Sequence, residues 1–223
     1  MTTLLHPSLT TLFEDFNQPP LANNQNAYYG PYFTLLSKLF DDTGPFYVGS
    51  RFDKNPRDAT DVHATFTVGF KGHPVLFIQV NEPSSFLLDS KRKQADERMR
   101  DRFLDLRPKL ATPRLLGISA FGTRLAFYEY TAATNTLTPP AIAADVAPAH
   151  RWNYDILEAD GVARMRQVVH DVKAMCGVGS QCQSCVQGSG QSRLILLGIY
   201  VFPLSLLLYV LATGLISLRA DHT

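Results

Sequence analysis

The stretch HATFTVGFKGHPVLFIQVN, residues 63–81, decides the fold. Residues 63–70 and 74–80 are rich in β-branched and aromatic side chains, and Lys71-Gly72 sits between them as a turn. This predicts a β-hairpin. Downstream, apolar residues at Ala95, Met99, Phe103 and Leu106 recur at intervals of four, four and three, with Pro108 just beyond, which predicts an amphipathic helix over 90–106. Two more strands are expected at 115–120 and 124–130, separated by Phe121-Gly122-Thr123. A Pro/Ala-rich connection over 138–148 leads to Trp152 and then to a helix ending near Met175, with Val162, Met165, Val169 and Val172 as its apolar stripe.

Upstream of the hairpin, Phe33, Leu36, Leu39 and Phe40 share a face of a short helix over 31–40, with Pro31 suited to its first turn. Residues 41–61 return to Gly, Pro and Asp and read as turns, and residues 1–30 read as a poorly ordered lead-in. The fold class expected is therefore α/β (α+β), a mixed sheet flanked by helices, over residues 31–176.

Composition narrows the functional classes. The chain has 223 residues, of which 45% are hydrophobic and 18% charged, with a formal charge of +1. Collagen, bulk disorder and a highly basic nucleic-acid arm are excluded. Setting aside Arg193, Arg219 and Asp221 leaves 19 basic and 19 acidic residues up to Cys176, so bulk electrostatics supplies no attraction for a phosphate backbone. The densest basic cluster is Lys91, Arg92, Lys93, Arg98, Arg100 and Arg102. The pairs Lys93–Glu97 and Asp96–Arg100 are spaced i, i+4, so the cluster reads as a solvated helix face.

Residues 194–218 carry no charge and contain ten Leu, three Ile and two Val, between Arg193 and Arg219. As a helix this run would measure about 37 Å, enough to cross a hydrocarbon core with some tilt. A Gly/Ser/Gln-rich linker over 177–193 precedes it, and a short tail over 219–223 follows. The expectation is a single-pass, tail-anchored membrane protein whose N-terminal domain faces the cytosol, since MTTLLHPSLTTLF at the start has no basic region of the secretory kind. The abrupt composition change at Gly177 leaves a second reading open, in which the apolar run is an artefact of an unspliced intron. Cys182 and Cys185 form a single CxxC beside Cys176, with His170 upstream. Without a second pair, this is weak as a zinc or redox motif.

No GxGxxG, P-loop, HExxH or EF-hand loop is present. Gly117-Ile118-Ser119-Ala120-Phe121 begins like a nucleophile elbow but lacks the closing glycine, and Ser119 reads as a strand residue. His63, His73 and His150 have no regular spacing.

The element order helix, strand, strand, helix, strand, strand resembles the core of the PD-(D/E)XK nuclease-like superfamily. Residues 51–176 are also similar to a protein family of mushroom-forming fungi that brings no activity with it. The likeness rests on PVLFIQVNEPSS (74–85), QADERMRDRFLDL (94–106), GISAFGTRLAFYEY (117–130) and RWNYDILEADGVARMRQVV (151–169). In active members of the superfamily, an Asp on one hairpin strand and an acid-x-Lys on the next hold a divalent metal and position water. Two carboxylates on one side of the hairpin bind a hard cation, and a lysine two residues along faces the same site.

On that template Asp61 precedes the first strand, and the acid and lysine slots fall at Gln79 and Asn81, both neutral amides. Glu82, and Lys91 or Lys93 on the following helix, are candidates to restore a carboxylate and an ammonium, although Glu82 lies on the opposite side of the strand from Asn81 unless a bulge before Pro83 reorients it. The resemblance thus implies a catalytically impaired domain that acts by binding, through an unidentified protein partner, and needs no cofactor. The alternative is a nuclease using Mg²⁺ or Mn²⁺ through Asp61, Glu82 and Lys91, with nucleic acid as its substrate.

Overall fold

In the computed structural model of the chain, the described residues are 7–19, 21–40, 44–55, 58–143 and 147–178. The linker beyond Val178, the apolar run 194–218, Cys182 and Cys185 all lie outside them. The chain divides into two units, one up to Gln181 and one from Cys182 onwards, and the described residues belong to the first. Among them, no helix is long and apolar enough to cross a membrane.

The hairpin of residues 63–81 is the centre of a mixed sheet. Its strands are β2 (Asp58–Phe70) and β3 (His73–Asn81), turning at Lys71 and Gly72, both with positive φ. β1 (Phe46–Asn55) pairs antiparallel with the outer edge of β2. On the other side, α3 (Asp89–Leu106) carries the chain across to β4 (Arg114–Phe121), which lies parallel to β3. β5 (Arg124–Thr131) returns antiparallel to β4, and the short β6 (Thr136–Thr138) and β7 (Tyr154–Asp155) pair with opposite ends of β5. The sheet has seven strands in the path β1-β2-β3-β4-β5-β6, with β7 off the path. α1 (Pro7–Phe16), α2 (Tyr29–Leu39) and α4 (Ala159–Met175) complete the described helices.

Strand alternation sends two different surfaces to two different layers. Ala64, Phe66 and Val68 of β2, Leu76, Ile78 and Val80 of β3, and Leu116, Ile118 and Ala120 of β4 form one core with α1, α2 and α4. Phe77 of β3 and Ala126, Tyr128 and Tyr130 of β5 form a second core with α3 and Trp152. Both faces of the central strands are covered, which is why VLFIQV is nearly all apolar rather than alternating. α3 approaches the sheet where β4 has Gly117. A Cβ there would lie 2.7 Å from Phe103 Cζ and 2.9 Å from Met99 Cε.

The helix over 90–106 and its stripe Ala95, Met99, Phe103 and Leu106 are as expected, all four residues being buried. So are the strands near 115–120 and 124–130 and the stripe of the last helix, to which Val168 is added.

Four readings need correction. Residues 41–61, expected as turns, contain β1 and the start of β2, and Asp61 lies inside β2 rather than before it. β1 is held by Phe46 packing between Phe40 and Phe70, and by Tyr47 lying over its partner Gly69. Residues 1–30, expected as poorly ordered, contain α1 and two 3-10 turns. Leu9, Phe13 and Tyr28 are buried, Tyr28 Oη donates to Asn17 Oδ1, and Gln25 Nε2 donates to the Val80 carbonyl. On the first expected helix the buried face is Tyr32, Leu35 and Leu36, continued by Phe40, and Phe33 is exposed. Tyr32 is drawn inward because its hydroxyl donates to the Gly122 carbonyl at 2.6 Å and its ring meets Phe13 edge-on.

The fourth correction concerns the basic cluster, which is only partly a solvated face. Arg92 is buried. Its Nε donates to the Ala147 carbonyl, and its Nη groups donate to the Phe86 carbonyl and to Asp89. Asp96, 2% exposed, accepts from Arg100, from Arg151 and from the Tyr128 hydroxyl. Arg100 and Arg151 also donate to the carbonyls of Pro139 and Pro140, so one carboxylate ties α3, β5 and the proline-rich connection together.

Candidate functional site

On the α3 side of the sheet, toward the C-terminal ends of the parallel strands β3 and β4, the apolar surface gives way to a polar strip. Thr65, Gln79 and Ser119 stand side by side across β2, β3 and β4. His63 and Asn81 lie one alternation further along β2 and β3. All five are buried. Buried between the sheet and α3, each polar group has to find a partner within the protein, an ordered water or a ligand.

Asn81 is bonded on both sides of its amide. Its Nδ2 donates to Ser119 Oγ and to the Ala120 carbonyl, each at 3.0 Å, and its Oδ1 accepts from Arg98 Nη2 at 2.8 Å. Gln79 differs, since its Oε1 is buried and accepts no hydrogen bond among the described residues. A second arginine of α3, Arg102, reaches Thr67 Oγ1 at 3.5 Å.

Beyond Asn81 the chain leaves the sheet. Glu82 precedes a 3-10 turn, Pro83–Leu87, and its Oε2 accepts from Ser85 Oγ at 2.9 Å. The strand ends before Glu82, so it is no longer held to the far face of β3. His63, Asn81, Glu82, Ser85, Lys91, Gln94, Arg98 and Phe121 line one small pocket, with room for about one water molecule. Lys91, Gln94 and Arg98 are spaced along a single face of the first turns of α3.

Glu82 and Lys91 thus line the same pocket as Asn81. Asp61 is in β2, and its side chain lies outside the described residues. His63 and Arg98 are pocket residues that the sequence reading did not select. His63 had no motif around it, and Arg98 was absorbed into the solvated face. The signal that could have found Arg98 is its position seven residues after Lys91, two turns along the same helix face.

For an active enzyme the resemblance implies Mg²⁺ or Mn²⁺ at this site. Such a cation needs several oxygen ligands and net negative charge. Here Gln79 Oε1 accepts no hydrogen bond, but Asn81 Oδ1 is engaged by a guanidinium, and among the described residues the pocket carries Lys91 and Arg98 against one carboxylate, Glu82. Among the described residues, no group of three or more His, Cys, Asp or Glu is placed to hold a metal. The residues described do not fit a divalent cation.

Ser119 is a β4 residue with no exposure, accepting from Asn81 rather than facing a base. His73 and His150 are exposed, and His73 Nδ1 lies 2.9 Å from the Lys109 carbonyl. Cys176 is partly buried at the end of α4, and burial pushes its thiol pKa up while Lys71 opposes the shift, so the thiol is less reactive than a free one. His170 is exposed on α4 beside Asp171.

What fold and site define is a three-layer α/β domain with an amide- and arginine-lined pocket at the end of its parallel strands. No protein-family model, curated protein or solved structure matches the chain.

Proposed function

We propose that this chain is a binding protein built on a nuclease-like core whose hydrolytic site has been replaced, held at the cytosolic face of a membrane by the apolar run 194–218. The observation that carries the loss of hydrolysis is the hydrogen bond from Arg98 to Asn81. The lysine slot holds an amide whose only carbonyl oxygen is occupied by a cation, and the acid slot holds Gln79. Among the described residues, the ionised groups lining the pocket are two cations and one carboxylate, a balance that disfavours the metal that phosphodiester cleavage on this template requires.

Support for the nuclease-like reading comes from the element order. α2, β2, β3, α3, β4 and β5 follow in the sequence that carries the resemblance, with β1 added at the sheet edge and Gln79 and Asn81 together on the α3 face.

The full chain, solubilised in mild detergent and given Mg²⁺ or Mn²⁺, is expected to leave DNA and RNA intact. Cleavage that disappears in Asp61→Ala would overturn the reading. It would favour the nuclease alternative, which has in its favour that Glu82 and Lys91 line the same pocket. The anchor is tested separately by alkaline carbonate extraction of membranes from cells expressing the full chain. Retention in the pellet is expected, and release into the supernatant would remove the membrane assignment.

A further inference from the structure

We infer that the cavity between the last turns of α3 and the β5–β6 hairpin binds a small carboxylate that carries one ring-sized apolar group. This cavity shares no residue with the pocket at the end of β3, and the inference goes beyond the reading of that pocket without resting on it.

Helix spacing and strand register build the cavity. Arg100, Phe103, Leu104 and Arg107 stand at i, i+3, i+4 and i+7 along one face at the end of α3. Opposite them, Tyr130 of β5 and Leu137 of β6 are register partners, so their side chains share the face turned toward the helix. The space between is about 150 Å³, on the order of what one benzene ring fills. Phe103, Leu104, Tyr130 and Leu137 line it with carbon, and Leu104, 53% exposed, leaves an apolar side chain at its mouth.

Charge sets what accompanies the ring. Among the described residues, the ionised groups lining the cavity are Arg100 and Arg107, with no carboxylate beside them. Asp96 accepts from both Arg100 and Arg151, so those three groups keep one net positive charge, and Arg107 adds a second. Asp101 and Asp105 are exposed and outside the lining, and Glu129 is turned to the other face of β5, where it pairs with Arg114. The proline-rich connection runs from Pro139, bonded to Arg100, to Ala147, bonded to Arg92 two turns nearer the start of α3, and so leads away from the cavity. The end of α3 contributes about half a negative charge, less than the guanidinium groups supply.

The binding fork is in place before a ligand arrives. Asn135 Oδ1, in the turn of the hairpin, accepts from the Tyr130 hydroxyl and from Arg107 Nη1, each at 3.0 Å. The Arg107 guanidinium also lies 5.9 Å from the centre of the Tyr130 ring. Its Nε and Nη2 have no acceptor among the described residues, and these are the two parallel donors that a carboxylate takes bidentately. Fixing guanidinium and ring together lowers the ordering cost of binding.

The test is titration of phenylacetate into the full chain in phosphatidylcholine nanodiscs, read by saturation-transfer NMR against empty discs. Saturable binding with a Kd of about 1 mM or tighter is expected. Arg107→Gln removes the fork and Leu104→Glu sets a carboxylate at the mouth, so each should weaken binding about tenfold or more. Arg124→Gln, at the far end of β5, should leave it unchanged. Arg107 and Leu104 are both exposed, so either variant carries the test if the other fails to fold. Phenylacetamide, which lacks the charge, and acetate, which lacks the ring, should each bind about tenfold more weakly or worse. No saturable binding up to about 10 mM, binding undiminished in both variants, or either analogue binding as tightly as phenylacetate would overturn the inference. If alkaline carbonate releases the chain, the same titration runs in buffer, so loss of the anchor leaves this test intact. Metal-dependent cleavage would overturn the proposed function and not this site.

Discussion

Arg98, in the third turn of α3, donates from Nη2 to Oδ1 of Asn81 at the end of β3, 2.8 Å away. The bond joins the crossover helix to the central hairpin at the C-terminal end of β3. It also explains why position 81 carries an amide. The residue has to donate to Ser119 Oγ and the Ala120 carbonyl on one side and accept from a guanidinium on the other.

Asn81→Asp is therefore expected to destabilise the protein even though it supplies a partner for Arg98. The aspartate loses both donated bonds and sets a charged oxygen against the Ala120 carbonyl. A loss of about 1–3 kcal/mol is expected in denaturant titrations, and a stability equal to or above that of the parent would contradict the amide's role.

Asp96 supports the domain away from the pocket. Removing its carboxylate in Asp96→Ala leaves Arg100, Arg151 and the Tyr128 hydroxyl without their shared acceptor, at a cost of about 3 kcal/mol or more. Replacing Arg100 and Arg151 as well should cost less than the sum of the single changes, as measured by a thermodynamic cycle. Additive losses would mean that the three groups are not one network.

Buried phenols give the fold an alkaline limit. Burial, with the Asp155 charge in support, holds Tyr32 well above the ordinary phenolic range. Burial followed by Asp96 does the same for Tyr128, with Arg151 opposing. A folded pKa above the unfolded one means that the native state keeps its proton while the unfolded chain loses it. Stability is then complete below about pH 10 and falls as pH rises beyond it. Absorbance titration of the phenolate band should show these two tyrosines ionising only as the circular dichroism signal is lost. Reversible ionisation of all tyrosines in the folded protein would contradict this.

Phe13 tests whether the first thirty residues belong to the core. Its ring is fully buried and packs edge-on against Tyr32 at a centroid distance of 5.0 Å. Phe13→Ala is expected to cost about 3–5 kcal/mol, whereas a surface lead-in would tolerate it with no measurable change.

Close approach of α3 to the sheet is tested at Gly117. Gly117→Ala pushes a methyl group against Phe103 and Met99 and should cost about 1–3 kcal/mol, with part of the loss recovered in the double variant with Phe103→Leu.

The central elements were legible because their side chains are buried by their own periodicity. β3 is a short apolar run after a Lys-Gly turn, and Ala95, Met99, Phe103 and Leu106 describe one stripe. β1 was hidden because FYVGSRFD mixes aromatic residues with glycine and charge, and its order comes from contacts distant in sequence, Phe46 with Phe70 and Tyr47 over Gly69. α1 was hidden for a similar reason. Leu9 and Phe13 become core residues only once Tyr32 is anchored to Gly122, ninety residues away.

At the site, Gln79, Asn81, Glu82 and Lys91 are picked out by the resemblance to the nuclease-like template, not by a motif of their own. Arg98 is marked in the sequence only by its place two turns beyond Lys91 on the same helix face, because an arginine three residues from Ala95 and one from Met99 looks like a solvated neighbour of the buried stripe. The end of β3 beneath the helix gives it a partner in Asn81.

Mn²⁺ binding measured by electron paramagnetic resonance on the full chain addresses most directly whether the pocket at the end of β3 holds a metal, which the proposed binding role says it does not. With Arg98 on Asn81 Oδ1 and a neutral amide at Gln79, the free-ion signal should persist until Mn²⁺ is in the millimolar range, and Glu82→Gln should leave it unchanged. A micromolar Mn²⁺ site that is lost in Glu82→Gln would contradict the reading of a binding domain and return the pocket to metal-dependent chemistry.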